Sequence, residues 1–282
     1  MLYAKKSKIG IIGCGSIGQE VALFIEKELK KHVKLTAIAD KDLEKAQALA
    51  EKLSSSVSVC DPITLIKTAD FVIEAASVEA ARHLLKHGVA LKKNMLILSV
   101  GALIKERHLL RQARARNVNV YIPSGAICGI DGLGALSLGE IKKISLTTSK
   151  PPKGLLGATY LKKKKIDIEH IKHPVVVFKG NVLDAIENFP QNINVAATLF
   201  LAASFSAKGD AAFNEDDLEV CIKANPRLNR NIHQIEIEAQ EARITIAIEN
   251  APSKANPKTS ALAIFSTQHL LKKIFSSVKI GS

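Results

Sequence analysis

The stretch that decides the fold is Ile9-Gly10-Ile11-Ile12-Gly13-Cys14-Gly15-Ser16-Ile17-Gly18. Four residues, three of them isoleucine, form a short strand. They run into a GxGxxG turn. Beyond it Ile17, Val21, Phe24, Ile25 and Leu29 recur at helical spacing. A strand entering such a turn and a helix leaving it make a dinucleotide site. Gly13 permits the tight turn, and Gly15 removes a Cβ where a pyrophosphate must approach the backbone. Gly18 lets the helix pack against the strand. Ser16 and Ile17, at the helix start, offer unpaired N–H groups and a partial positive charge to phosphates.

The pattern continues outward. Leu35 to Ala39 is a second strand, and Asp40 ends it. A carboxylate there accepts from both ribose hydroxyls and repels a 2′-phosphate, favouring NAD over NADP. The neighbouring Lys41 leaves NADP open. The alternative for Asp40 is an N-cap of the next helix, which spans Asp40 to Leu53. Further strands fall at Val57–Val59, Phe71–Ile73, Met95–Val100 and Val118–Ile122. Helices lie over Val78–Leu91 and Ile104–Arg116. This alternation gives a Rossmann-type doubly wound parallel sheet. Ala76 and Ser77 follow one strand end, and Ser99 to Ala102 follow another. Their small side chains border the nicotinamide side of the cofactor.

After Pro123 the character changes. Three stretches alternate with period two: Leu218–Ile222, His233–Ile237 and Ile244–Ile248. They read as strands with one buried face, in an open mixed sheet of a second, α+β domain. Asn194 to Ser206 is an apolar helix, and Thr259 to Val278 is another, with Leu262, Phe265, Leu270 and Ile274 as its apolar members. Residues 1–122 therefore form the dinucleotide-binding domain and 123–250 the substrate domain.

Composition sets the outer limits. A chain of 282 residues with 47% hydrophobic content supports two folded domains. No apolar run approaches the roughly 20 residues of a membrane span, and a cytoplasmic location is expected. Four dispersed cysteines form no CxxC pair, so neither a metal site nor a disulfide framework is expected. Cys14 and Cys128 read as small buried thiols. The net charge is +13, but the lysines are spread, with one run at Lys162 to Lys165, and aromatics are only 4%. That argues against nucleic acid, which needs stacking platforms, and for attraction of acidic small molecules. An open sheet face calls for a cover, so a homo-oligomer is expected.

Four blocks carry a resemblance. They are Ile122-Pro123-Ser124-Gly125-Ala126-Ile127-Cys128-Gly129-Ile130-Asp131-Gly132, Asn188-Phe189-Pro190-Gln191-Asn192-Ile193-Asn194-Val195, Asn225-Pro226 with Asn229-Arg230-Asn231-Ile232-His233, and the run from Glu249-Asn250 to Thr259-Ser260. With the glycine turn, and in this order, they resemble the L-aspartate dehydrogenase family over nearly the whole chain. The resemblance implies oxidative deamination of L-aspartate to iminoaspartate with NAD or NADP. The product feeds NAD biosynthesis or hydrolyses to oxaloacetate and ammonia. It also implies cofactor contacts at Ala126 and at Asn192 or Asn194, and a catalytic histidine at His233. Residues 251–282 would carry a helix that packs back on the first domain.

His233 shares the parity of Ile235 and Ile237, so its ring faces the covered side of the sheet. Imidazole titrates near neutrality, which suits proton transfer from an amine. The other seven histidines read as surface residues. For the substrate carboxylates the candidates are Thr148, Ser149, Lys150, Arg230, Lys254, Lys258 and the helix start at Thr259. Two other readings stand beside the first. One is a homoserine-dehydrogenase-like or dihydrodipicolinate-reductase-like oxidoreductase on the same architecture. The other is a non-catalytic dinucleotide-sensing regulator.

Overall fold

A computed structural model describes residues 6–189, 193–205, 213–253, 256 and 259–281. The chain divides into two units, Met1–Pro123 with Ile264–Ile280, and Ser124–Ala263 with Gly281–Ser282.

In the first unit the chain runs β1 (Ser7–Ile12), α1 (Ser16–Phe24), β2 (Val33–Ala39), α2 (Leu43–Lys52), β3 (Ser58–Val59), α3 (Pro62–Thr68), β4 (Phe71–Glu74), α4 (Val78–Ala90), β5 (Asn94–Ile97), α5 (Gly101–Lys105), α6 (Arg107–Ala115) and β6 (Val120–Tyr121). The six strands are ordered β3-β2-β1-β4-β5-β6, and every pairing is parallel. Strand order reverses between β1 and β4, the place where such sheets bind ligands beyond their carboxyl ends. Ile9, Ile11, Val21, Ile38, Ile73 and Leu96 share one buried cluster.

Helix starts follow local chemistry. Asp42 caps α2 by accepting from Lys45 N, and Asp61 caps α3 from Thr64 N with Pro62 at the first position. The helix expected from Asp40 therefore begins later, and Asp40 is not its cap. The single helix expected over Ile104–Arg116 is two helices, broken at Glu106 (φ −108°, ψ 24°). The Glu106 carboxylate lies 3.5 Å from Arg82 Nε.

The second unit runs α7 (Ile130–Leu136), β7 (Ile141–Lys150), α8 (Thr159–Lys164), β8 (Val175–Gly180), α9 (Val182–Asn188), α10 (Asn194–Ser204), β9 (Leu218–Ala224), β10 (Asn231–Ala239) and β11 (Arg243–Asn250). Its strands are ordered β11-β10-β7-β9-β8. β7 and β9 are parallel, and the other pairs are antiparallel. The sheet is thus mixed, with one face buried: Ile144, Leu146, Val220, Ile222, Ile235 and Ile237 all point into the core. β7 lies at the centre of this sheet. Cys128 is exposed, contrary to the buried thiol expected, whereas Cys14 is buried. Residue 128 sits between the left-handed turns at Gly125 (φ +66°) and Gly129 (φ +78°).

The last helix, α11 (Ala261–Phe275), buries Ile264, Thr267 and Leu271. Leu271 joins the core of the first unit. Phe265, expected among the helix's apolar members, is 63% exposed.

Candidate active site

In the first unit the glycine turn is built by close approach. Gly13 has φ +106°, and a Cβ there would meet Ala75 O at 2.5 Å and Ala76 N at 2.8 Å. A Cβ on Gly18 would meet Gly13 O at 1.8 Å. The contact that excludes it is the turn's own carbonyl rather than the strand expected from sequence; Ile11 is farther, at 3.8 Å. Gly15 differs, for a Cβ there would touch nothing within 4 Å. The missing side chain therefore leaves open space over the first turn of α1. Gly15 caps that helix without a side-chain bond, and Ser16 Oγ has no hydrogen-bond partner among the described residues. Ile17 packs half-buried against the core below.

Asp40 reaches back to this turn. Its Oδ2 accepts from Cys14 N at 2.6 Å and its Oδ1 from Asp42 N at 2.9 Å. Each oxygen keeps a further lone pair for a hydroxyl donor. The Cys14 thiol beside it is pushed up to about 12, by burial first and then by the Asp40 charge, so it is no nucleophile. A cradle open over Gly15, a helix N-terminus, and a carboxylate at the end of β2 fit the pyrophosphate and ribose of a dinucleotide.

Ala76 and Ser77 form the loop between β4 and α4. Their amides donate to Glu74 Oε1 at 2.7 and 2.9 Å, and Ser77 Oγ accepts from Ala80 N to cap α4. Glu74 also accepts from Ser99 N and Ser99 Oγ, at 3.0 and 2.8 Å. One buried carboxylate thus pins the loops after β4 and β5 together. Burial pushes its pKa up, against these four donors. Sequence reasoning passed over Glu74, although an acid closing the buried strand Phe71–Glu74 was a visible signal.

In the second unit His233 is buried on β10, 4% exposed. In register beside it are Thr148 on β7 and Ile248 on β11. Thr148 Oγ1 lies 2.9 Å from His233 Nδ1. Burial holds the imidazole down at about 4, and the charge of Lys150 adds to the effect. Lys150, two residues beyond Thr148 on the same face, is itself lowered to about 8 by burial. The remaining seven histidines are exposed or half-buried.

Ala126 is fixed by a residue not singled out from sequence. Asn250, buried at the end of β11, donates from Nδ2 to Ala126 O at 2.9 Å. Its Oδ1 accepts from Ser260 Oγ at 2.7 Å. Asn250 pairs with Asn231, two residues before His233. The Ala126 turn is thereby tied to the same end of the sheet as the histidine. Asn194 opens α10, exposed, and its carbonyl accepts from Thr198 Oγ1. Asn192, Lys254 and Lys258 lie outside the described residues. A cavity of about 1060 Å³ opens at this end of the unit, with Lys150, Arg230, Asn231, Asn250, Thr259 and Ser260 in its wall. Among the described residues no cluster of three metal-ligating side chains occurs, and no helix is long and apolar enough to cross a membrane.

The chain is similar to known proteins along its length. Residues 131–274 match the family model for the C-terminal part of aspartate dehydrogenase. Residues 13–123 match that for the NAD-binding domain of homoserine dehydrogenase. The L-aspartate dehydrogenases of Methanosarcina barkeri and Methanocaldococcus jannaschii are each 38% identical to this chain, over 98% of it and 99% of their own length. The crystal structure of aspartate dehydrogenase from Thermotoga maritima superposes with a TM-score of 0.73 at 25% identity, covering 98% of this chain and all of that one.

Proposed function

Since this chain belongs to the L-aspartate dehydrogenase family, we propose that it oxidises L-aspartate to iminoaspartate with NAD, or NADP, as hydride acceptor. Hydrolysis of the imine then yields oxaloacetate and ammonia. The cofactor half of this reading rests on the glycine turn, where Gly13, Gly15, Ser16, Ile17 and Gly18 would take the pyrophosphate and Asp40 the ribose. Ala76, Ser77, Ala126 and one of Asn192 or Asn194 would border the nicotinamide. When bound, the nicotinamide accepts the hydride that leaves the substrate Cα.

The remaining chemistry belongs to the protein. The substrate amine must be neutral as its nitrogen lone pair forms the C=N bond, so a proton has to leave it. In the tautomer whose Nδ1–H donates to Thr148 Oγ1, Nε2 of His233 keeps a free lone pair for that proton. Burial keeps the ring neutral at physiological pH. Once that proton has passed on to solvent, the same nitrogen can take another from the water that attacks the imine. The observation that carries the assignment is this buried, oriented imidazole on the sheet face that also bears Lys150.

The decisive assay follows reduced nicotinamide by its absorbance, with L-aspartate and either cofactor. His233→Ala should lower kcat by about 10²- to 10⁴-fold while NADH still binds by fluorescence titration. Undiminished turnover in that variant removes His233 from the mechanism. A supply of iminoaspartate for NAD biosynthesis, and a cytoplasmic location, accord with the same reading. We also read the protein as a homo-oligomer, since Thr147, Cys221, Gln234 and Ala247 line up across a sheet face that is half-buried to exposed among the described residues. Light scattering of the purified protein measures it.

A further inference from the structure

We propose that Lys150 is the anchor for a carboxylate of the substrate, and so sets the preference for a dicarboxylic amino acid. The inference rests on the dehydrogenase reading above and adds the recognition element that reading lacks.

The first support is position. β7 is the central strand of its sheet, with β10 on one side and β9 on the other. Residues 144, 146, 148 and 150 of this strand share a face. The first two are Ile144 and Leu146, fully part of the core. The third is Thr148, in contact with His233. The fourth is Lys150, where the core opens into the cavity. A strand that only had to fill a core would continue with an aliphatic residue there. In its place stands a half-buried lysine that forms part of the cavity wall.

The second support is the cavity itself. Its wall is rich in donors, with Lys150, Lys153, Arg230, Asn229, Asn231 and Ser260, while Glu169 is an acidic member. That donor set suits a small dianion. Lys153, in the short 3-10 turn Pro152–Gly154, and Arg230, on a loop, are exposed, where solvent screens their charges. Lys150 is the cation whose field is felt at His233. A carboxylate held at its ammonium is therefore held near the base that must reach the amine.

The third support is specificity physics. An amino acid with a neutral side chain brings one carboxylate instead of two. It leaves a donor of this wall without its charged partner, which a site built for that contact rejects strongly.

The test compares wild type with Lys150→Met, Lys150→Gln and Lys150→Arg. Wild type is assayed first with L-aspartate and NAD or NADP. Failure there removes the dehydrogenase reading and not the anchor. With wild-type turnover established, Lys150→Met should raise the KM for L-aspartate by about 10- to 100-fold and leave the KM for the nicotinamide cofactor within about twofold. Lys150→Gln serves the same comparison if the methionine variant does not fold. Lys150→Arg, which keeps the charge, should recover part of the loss. Calorimetric titration of succinate into NADH-loaded protein should weaken in parallel in the neutral variants. L-aspartate KM and succinate affinity both within about twofold of wild type in a folded neutral variant would overturn the proposal.

Discussion

At residue 233 two influences act in the same direction. Burial removes the imidazole from water, and Lys150 adds a positive charge nearby. Both disfavour the protonated ring, so its pKa falls from 6.5 to about 4. In the unfolded chain the ring regains its ordinary value. Between these values the unfolded state binds more protons than the folded one. Stability from this group is therefore complete above the unfolded pKa and drains away as pH falls toward 4, by up to roughly 3 kcal/mol. Urea melts of wild type and His233→Gln, at neutral pH and at about pH 5, measure it. Wild type should lose more stability on acidification than the variant, and equal losses would contradict the burial argument. Thr148 acts on the same ring differently. Its hydroxyl occupies Nδ1 and so selects which nitrogen is left to react. Thr148→Val keeps the shape and deletes the hydroxyl. We expect kcat to fall about tenfold or more, with the cofactor KM unmoved and Thr148→Ser largely restored. A valine variant with wild-type kcat would show that the hydroxyl does not orient the base.

At the scale of elements, the glycine turn separates two duties usually merged in one motif. Gly18 is excluded from bearing a side chain by Gly13 O at 1.8 Å, whereas Gly15 faces open space. Gly15 also has φ −73°, which any residue adopts. Gly15→Ala should therefore melt within a few degrees of wild type yet bind NADH more weakly by about tenfold or more, since a methyl fills the pyrophosphate's approach. Gly18→Ala should lower the melting temperature markedly, with or without cofactor. The reverse pattern would mean that the turn is not a phosphate cradle. This turn was legible in the sequence because its glycines, strand and helix obey one local geometry. β7 was not. Its buried face begins as Ile144 and Leu146 but ends as Thr148 and Lys150, so the hydrophobic alternation fails where the proposed site begins. Central strands that carry chemistry lose the periodicity that would reveal them. α3 was missed for a lesser reason, since Asp61-Pro62 is a plain cap signal ahead of it. The face of α11 was misjudged because Phe265 is apolar yet exposed, while Thr267 is polar yet buried. Hydrophobicity names a helix's face only when every position conforms. Asn250 left no sequence signal beyond its place in a quoted block. Its role arises from Ala126 and Ser260, which only folding brings to it.

At the scale of the whole molecule, early and late stretches of the chain build the same unit. Leu271 of α11 lies in the same buried cluster as Ile9 and Val21 of the first unit, although more than two hundred residues separate them in sequence. That unit is complete only once the chain has passed through the second, so a truncation before α11 would strip its core. Charge is the other property of the whole. Lys and Arg number 40 against 27 Asp and Glu, a net +13. Much of this excess is solvated, as at the exposed Lys162 to Lys164 on α8 and Lys165 just after it. The aggregate still sets up a positive field, and a dicarboxylate substrate and a dinucleotide are both anions that it favours. Salt shortens the reach of that field to about 8 Å at physiological ionic strength and to about 3 Å at 1 M. Contacts inside a mostly buried site are screened far less. Raising potassium chloride from about 0.02 to about 0.5 M should therefore raise the KM for L-aspartate several-fold and change kcat little. Potassium fluoride, a salt of a small hydrated anion, should give the same curve if screening is the cause. A KM indifferent to salt, or a curve set by the identity of the anion, would show that the +13 charge plays no part in drawing substrate to the enzyme.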